Sequence, residues 1–325
     1  MNMEAKDEIR AILLQLGWNM WSDVPVRNWG KLAEMGRLGD VCAADHLRTD
    51  WNVWRKVTDC AAACGYNMIL LDLGEACVYP SHPELAVRGS LEPDRMRKEL
   101  DRLRKLGLEP IPKLNFSTAH DTWLKDCHRA VSTPEYYRTC ADVIRDVCEI
   151  FGKPRFFHLG YDEETASAQS QYGFSVVRQG DLWWHDFLFL SGTVEKCGMR
   201  PWIWSDYMWH HLKDFLAKMP RSVLQSNWYY GKDFAVGAPP PKGLDIGRVD
   251  CYLELDRAGF DQVPCSSACD NDVSFGRTVE FCRKRISSDR LKGFLMAPWT
   301  FICPAYEKKT MEACELGRTE WRTRG

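Results

Sequence analysis

The chain has 325 residues, with 43 Lys and Arg against 45 Asp and Glu and a formal net charge of -2. At 45% apolar and 27% charged residues it has the composition of a folded globular protein. The near-zero charge and the lack of a basic block argue against nucleic acid or an anionic membrane surface as partner, and no apolar run reaches the roughly 20 residues that a membrane-spanning helix needs.

The N-terminus, Met1 to Arg10, is charged and lacks the apolar core of a signal peptide, which points to the cytoplasm unless a leader precedes this chain. From there on, short and nearly continuous apolar runs alternate with amphipathic helices. The first two runs cover residues 16–21 and 67–72. A helix over 93–106 then places Met96, Leu100, Leu103 and Leu106 on one face and stops at Gly107. The third run, 109–115, precedes a helix opened by Thr133 and Pro134, with Tyr136, Cys140, Val143, Ile144, Val147 and Phe151 as its buried stripe. The fourth run, 156–160, leads to a helix over 181–197, and the fifth, 201–206, to a helix over 210–218. The sixth run (222–228), seventh (262–267) and eighth (293–299) are followed by helices over 249–259, 273–286 and 306–315.

Runs this short and this uniformly apolar suit parallel strands covered on both faces. About eight strands alternating with about eight helices predict an α/β fold, a single (β/α)8 TIM barrel occupying 1–325 as one domain. A doubly wound sheet would more often show a glycine-rich phosphate turn after its first strand, and residues 17–24, GWNMWSDV, contain none. The 14 cysteines form no CxxC pair and read as small buried hydrophobes in a reducing compartment. Cys265 and Cys269 lack nearby His partners, so neither a metal nor another cofactor is expected.

In such a barrel the chemistry lies where strands end. The polar and aromatic residues there are Asn19 and Trp21; Asp72 and Glu75; Asn115 and His120; His158, Tyr161, Asp162, Glu163 and Glu164; Trp204 and Asp206; Trp228 and Tyr229; and Trp299. Asp162, Glu163 and Glu164 are three acids in succession after a buried strand, costly unless they bind something, although Asp162 could instead cap a helix. The chain has 14 Trp, about three times the usual share. Rings at strand ends suit a sugar, whose C–H face stacks on a flat aromatic surface while its hydroxyls need carboxylates and amides. Trp204, Trp228, Tyr229 and Trp299 supply faces, and Asp206, Asn115 and Asn227 supply hydrogen bonds. A carbohydrate is therefore the expected partner.

The segment His158-Leu159-Gly160-Tyr161-Asp162-Glu163 resembles the strand-four signature H-x-G-G-D-E of the family 20 β-N-acetylhexosaminidases, with Tyr161 in place of the second glycine. Residues 111–120, IPKLNFSTAH, are similar to that family's I-P-E-x-D-x-P-G-H segment, one residue longer, with Asn115 for Asp and His120 matching the His. Trp204-Ser205-Asp206, Trp228 and Trp299 also resemble family positions, without the extra N-terminal domain that such enzymes usually carry.

The resemblance implies an exo-acting, substrate-assisted glycoside hydrolase, an exception to the two-carboxylate scheme. Glu163 would be the general acid, and Asp162 would orient the sugar's 2-acetamido group. Asn115 and His120 would sit behind the acid, whose pKa should be raised by burial. The family's Tyr on strand seven has no counterpart in QVPCSS, and Thr300 stands where the family often has Glu.

Other readings are an inverting or otherwise different glycosidase with Glu75 or Asp206 as base, a metal-dependent barrel enzyme using Glu75, Asp162, Glu164 and His residues, and a non-catalytic sugar-binding protein. Glu164 is the alternative acid if the strand ends one residue later. Trp183, Trp184 and Trp209 are expected to be exposed, as a homodimer contact or a cover for the rim.

Overall fold

The computed structural model describes residues 8–269 and 271–322, so the charged segment 1–7 lies outside the described residues. Eight parallel strands run β1 (Ile9–Gln15), β2 (Met68–Asp72), β3 (Glu109–Lys113), β4 (Phe156–His158), β5 (Arg200–Trp204), β6 (Leu224–Ser226), β7 (Cys265–Ser266) and β8 (Gly293–Met296). They form one sheet in the order β6-β5-β4-β3-β2-β1-β8-β7. Parallel bridges Gln225↔Gln262 and Trp228↔Cys265 bring its two outer strands together and close the barrel. Each strand is followed by one principal helix: α1 (Trp51–Ala63), α2 (Pro93–Lys105), α3 (Pro134–Phe151), α4 (Asp181–Lys196), α5 (Leu212–Lys218), α6 (Asp250–Arg257), α7 (Ser274–Arg285) and α8 (Glu307–Arg322). This is the expected (β/α)8 architecture. No helix among the described residues is long and apolar enough to cross a membrane.

The period of two along the strands builds two apolar layers. Ala11, Leu13, Leu70, Ile111, Trp202, Trp204, Val263 and Leu295 fill the barrel. Ile12, Leu14, Ile69 and Leu71 face outward onto the helices. Inside the barrel Lys113 is fully buried beside Asp72 on the neighbouring strand, Nζ to Oδ2 at 2.5 Å. Burial pushes the Asp72 carboxyl up, and the Lys113 charge opposes that shift.

Three expectations need correcting. The first strand is Ile9–Gln15, not 16–21: at Leu16 and Gly17 the chain leaves the ladder, both amides donating to the Asp72 carbonyl at 2.9 Å. The apolar signal of 16–21 belongs to a loop whose Trp18 packs with Val26, Val41, Phe301, Cys303 and Tyr306 in a small separate core. The helix over 210–218 breaks at His211, whose φ of -142° leaves a short turn (Tyr207–His210) before α5. Trp183, Trp184 and Trp209 are buried, not exposed. Trp183 stacks on Tyr207 at 3.7 Å and Trp209 meets Trp228 edge-on at 4.4 Å, so these rings serve the core and offer no open face to a second chain. Helix α1, absent from the sequence reading, is capped by Asp50, whose carboxylate accepts from the amides of Asn52 and Val53.

Candidate active site

The loop after β4 is shaped by backbone conformations that side chains rarely adopt. Gly160 and Tyr161 have φ of 72° and Glu163 has 56°. A Cβ on Gly160 would lie 2.0 Å from Asn115 Oδ1, so only glycine lets β3 and β4 approach here. Asn115 then organises the turn: its Oδ1 accepts from the amides of Ser117 and Tyr161, and its Nδ2 donates to Asp162 Oδ1 at 2.7 Å. Left-handed non-glycine residues cost roughly 1 kcal/mol or more each, and such conformations concentrate at functional sites.

The result is a pair of carboxylates with different surroundings. Asp162 is largely buried, while the Glu163 side chain keeps 46% of its exposure at the rim. Buried His120 stands between them, its Nε2 at 3.5 Å from Asp162 Oδ2 and 3.4 Å from Glu163 Oε2. Burial lowers the His120 pKa, but the neighbouring Asp162 and Glu163 carboxylates more than reverse it, and the net shift is upward. For Glu163, burial acts upward and the His120 contact and charge outweigh it, so its carboxyl sits below the ordinary value. The expectation of a raised acid at Glu163 is thus corrected: the imidazole beside it shifts the carboxyl downward against the effect of burial.

Asp206, at the end of β5, completes this group. Its Oδ2 accepts from the Glu163 amide at 2.8 Å, and its Oδ1 faces Trp228 Nε1 at 3.4 Å. Burial, reinforced by the charges of Asp162 and Glu163, pushes the Asp206 carboxyl up to about 8. At neutral pH it carries a proton and is a poor base. Above it, Trp228 stacks on Tyr230 at 5.2 Å, and Trp299, with φ of 51°, donates from Nε1 to the Tyr230 hydroxyl at 2.8 Å. Trp204 is fully buried below, 5.9 Å from Trp299, and forms the floor.

Asn115, His120, Asp162, Glu163, Asp206, Trp228 and Trp299 therefore meet at the C-terminal rim, with Trp204 beneath them. Four expected contacts do not. Glu75 is fully buried, and its two carboxylate oxygens accept from the amides of Trp18 and Asn19 at 2.8 and 2.9 Å, which ties down the loop after β1. His158 is sealed inside the barrel between Trp202 and Trp204, its Nδ1 accepting from the Gly160 amide. Burial drives its pKa well down, so it stays neutral. Tyr161 points outward against Trp183 and Phe187 of α4. Tyr229 packs on Phe234 and donates its hydroxyl to the Asp233 carbonyl. Each stands at or just beyond a strand end, but its side chain is spent on contacts away from the carboxylate pair.

Glu164 is removed as an alternative acid. It is buried, accepts from the amides of Thr118 and Arg178, and is paired with the Arg178 guanidinium at 2.5 Å. Asn227 likewise spends its amide on Trp209 Nε1 and the Arg248 carbonyl. Two residues were missed. Tyr230 was legible in principle, because alternation puts it on the same side as Trp228. Arg248, whose guanidinium lies 4.4 Å over Trp209 and 5.3 Å over Trp228, comes from a loop distant in sequence that carried no pattern. Among the described residues His120, Asp162 and Glu163 also hold ligand atoms within 4.8 Å of one another, close enough to share a divalent ion.

No family model matches the chain, and no curated protein sequence does. Solved structures do. The GH20 exo-β-N-acetylglucosaminidase from Vibrio harveyi in complex with N-acetylglucosamine superposes with a TM-score of 0.61 at 12% identity, covering 96% of this chain and 54% of that one. The pneumococcal protein StrH gives 0.61 at 14% identity, covering 98% and 84%. The barrel has the GH20 fold. Dispersin B gives 0.56 at 14% identity, covering 84% of this chain and 95% of its own. The GH20-type barrel described above thus spans about half the length of the Vibrio harveyi enzyme and nearly all of dispersin B.

Proposed function

We propose that the protein is an exo-acting glycoside hydrolase of β-linked N-acetylhexosaminides, working by substrate assistance. The observation that carries this reading is the adjacent pair Asp162 and Glu163, turned to opposite tasks by left-handed backbone, with His120 between them and tryptophans around them. Asp162, held by Asn115, is placed to orient an acetamido N–H and to stabilise the charge that forms as its carbonyl attacks the anomeric carbon. Glu163, exposed at the rim, would reach the glycosidic oxygen, with the proton drawn from the His120–Glu163 pair. Trp299 can only donate, so the Tyr230 oxygen accepts from it, and the phenol proton, shared with the Cys265 sulfur in the free protein, can turn to an acetamido oxygen. Tyr230, arriving from β6, thereby offers a hydroxyl that strand seven lacks. Trp228 and Trp299 supply stacking faces, and Arg248 a donor at the rim.

The test is turnover of aryl glycosides with and without a 2-acetamido group. Glu163→Gln should lose about 10²–10⁴-fold in kcat with the fold intact, since an amide has no proton to deliver. Asp162→Asn should lose far more on the acetamido sugar than on its 2-hydroxy analogue. Equal losses on both sugars would refute substrate assistance, and full activity in Glu163→Gln would refute the acid. A metal-dependent reaction on the same trio predicts loss of activity on chelation, whereas the acid–base reading predicts none.

A further inference from the structure

On the opposite flank of the barrel from this chemistry, the first and last helices meet through a cluster of thiols. Cys60 lies near the end of α1 and Cys64 one turn on, at its C-cap, with their sulfurs 3.9 Å apart. From α8, Glu315 brings a carboxylate oxygen to within 4.8 Å of both sulfurs, and the neighbouring Cys314 thiol hydrogen-bonds Cys60. Helix α8 lies close here because Gly317 passes the Tyr66 hydroxyl where a Cβ would stand 2.0 Å from it. The chain therefore gathers three thiols and a carboxylate from two helices at the seam between its beginning and its end.

We propose that Cys60, Cys64 and Glu315 form a binding site for a thiophilic divalent cation of the zinc class, clasping α8 to α1. The geometry fits the ion. Tetrahedral zinc with Zn–S bonds of about 2.3 Å sets its sulfurs roughly 3.8 Å apart, close to the spacing already present. Cysteines four apart on one helical turn share a face, so both sulfurs can meet one ion. Cys64 is buried and Cys60 half-buried, whereas Glu315 is exposed, so the site has an apolar floor and an open mouth for the ion to enter. In the free protein the Glu315 carboxylate accepts from the Cys64 thiol and pairs with Arg318 at 3.3 Å on the surface, an ion pair worth little. Binding replaces two S–H bonds by metal–sulfur bonds and releases those protons to solvent, with no change of oxidation state. Because the ligands sit on the helices that follow β1 and β8, an ion held there stabilises the closed barrel without touching the rim.

Cobalt(II) is the probe, since thiolate ligation gives an intense charge-transfer band that the sulfur-free trio of His120, Asp162 and Glu163 cannot produce. One equivalent per chain of the reduced full-length protein should develop the band, zinc should bleach it, and zinc should raise the unfolding temperature. Cys60→Ser and Cys64→Ser should each weaken zinc roughly tenfold or more and reduce the band, while Cys42→Ser, outside the cluster, changes neither. Glu315→Gln, at an exposed position that leaves the fold intact, should keep the band and weaken affinity. The proposal is overturned if stoichiometric cobalt gives no band, or if the Cys60→Ser, Cys64→Ser double variant binds as the parent does.

Discussion

Asp206 offers a direct test of the electrostatics at the rim. Its carboxyl is buried beside Asp162 and Glu163 and pushed from the ordinary 3.8 up to about 8. Between those two values the folded protein keeps a proton that the unfolded chain has released. Stability therefore falls as pH rises through that window, by about 1.4 kcal/mol per unit, and levels off above pH 8. Asp206→Asn removes the titration while preserving shape and an oxygen to accept the Glu163 amide. Relative to the parent, the variant should gain on the order of 4 kcal/mol between pH 5 and pH 8, or roughly 5–10 °C in Tm. The assay is urea or thermal unfolding of both proteins across pH 5 to 9, taking the difference so that titrating groups remote from Asp206 cancel. Parallel profiles would show that Asp206 is ionised in the folded state, and a difference growing in the opposite direction would show that its carboxylate is stabilised there.

Two further substitutions probe the scaffold behind the site. Glu75→Ala leaves the buried amides of Trp18 and Asn19 without acceptors and should cost about 3–6 kcal/mol in urea unfolding; a loss below about 1 kcal/mol would contradict its role as a tether. Gly160→Ala forces a Cβ onto Asn115 Oδ1 at positive φ and should cost about 2–4 kcal/mol and displace Asp162, so aryl-glycoside turnover falls with Tm; unchanged values of both would refute the close packing of β3 on β4.

The barrel was legible because short, nearly continuous apolar runs and capped amphipathic stripes are local signals that tertiary packing reinforces. Where the first run misled, the apolar residues were real but served a loop core around Trp18. The carboxylate pair, Asn115 and His120 could be picked out because each follows its strand within a few residues. What a one-dimensional reading lacked was the face. His158 and Tyr161 flank the same turn, yet one is sealed in the barrel and the other packs on α4. Tyr229 and Tyr230 are neighbours that exchange roles for the same reason. The direction of these shifts was hidden as well, since Asp206 is raised by burial and then by the charges of Asp162 and Glu163, and Glu163 is lowered by His120, all of which only the closed barrel brings about. The cysteines, read together as core filling, conceal one group whose members are distant in sequence and adjacent in space.

Strand β1 pairs with β2 on one side and β8 on the other. During synthesis β2 follows β1 within about 60 residues, whereas β8 emerges only after more than 200 further residues have been made. Until then one edge of β1 offers unpaired amides and carbonyls to any strand that passes, a template for misassembly. Loop-closure entropy makes this last pairing slow as well as late. Truncation before β8 would therefore leave an edge open rather than a smaller barrel, and the nascent chain needs protection there until its final strand arrives.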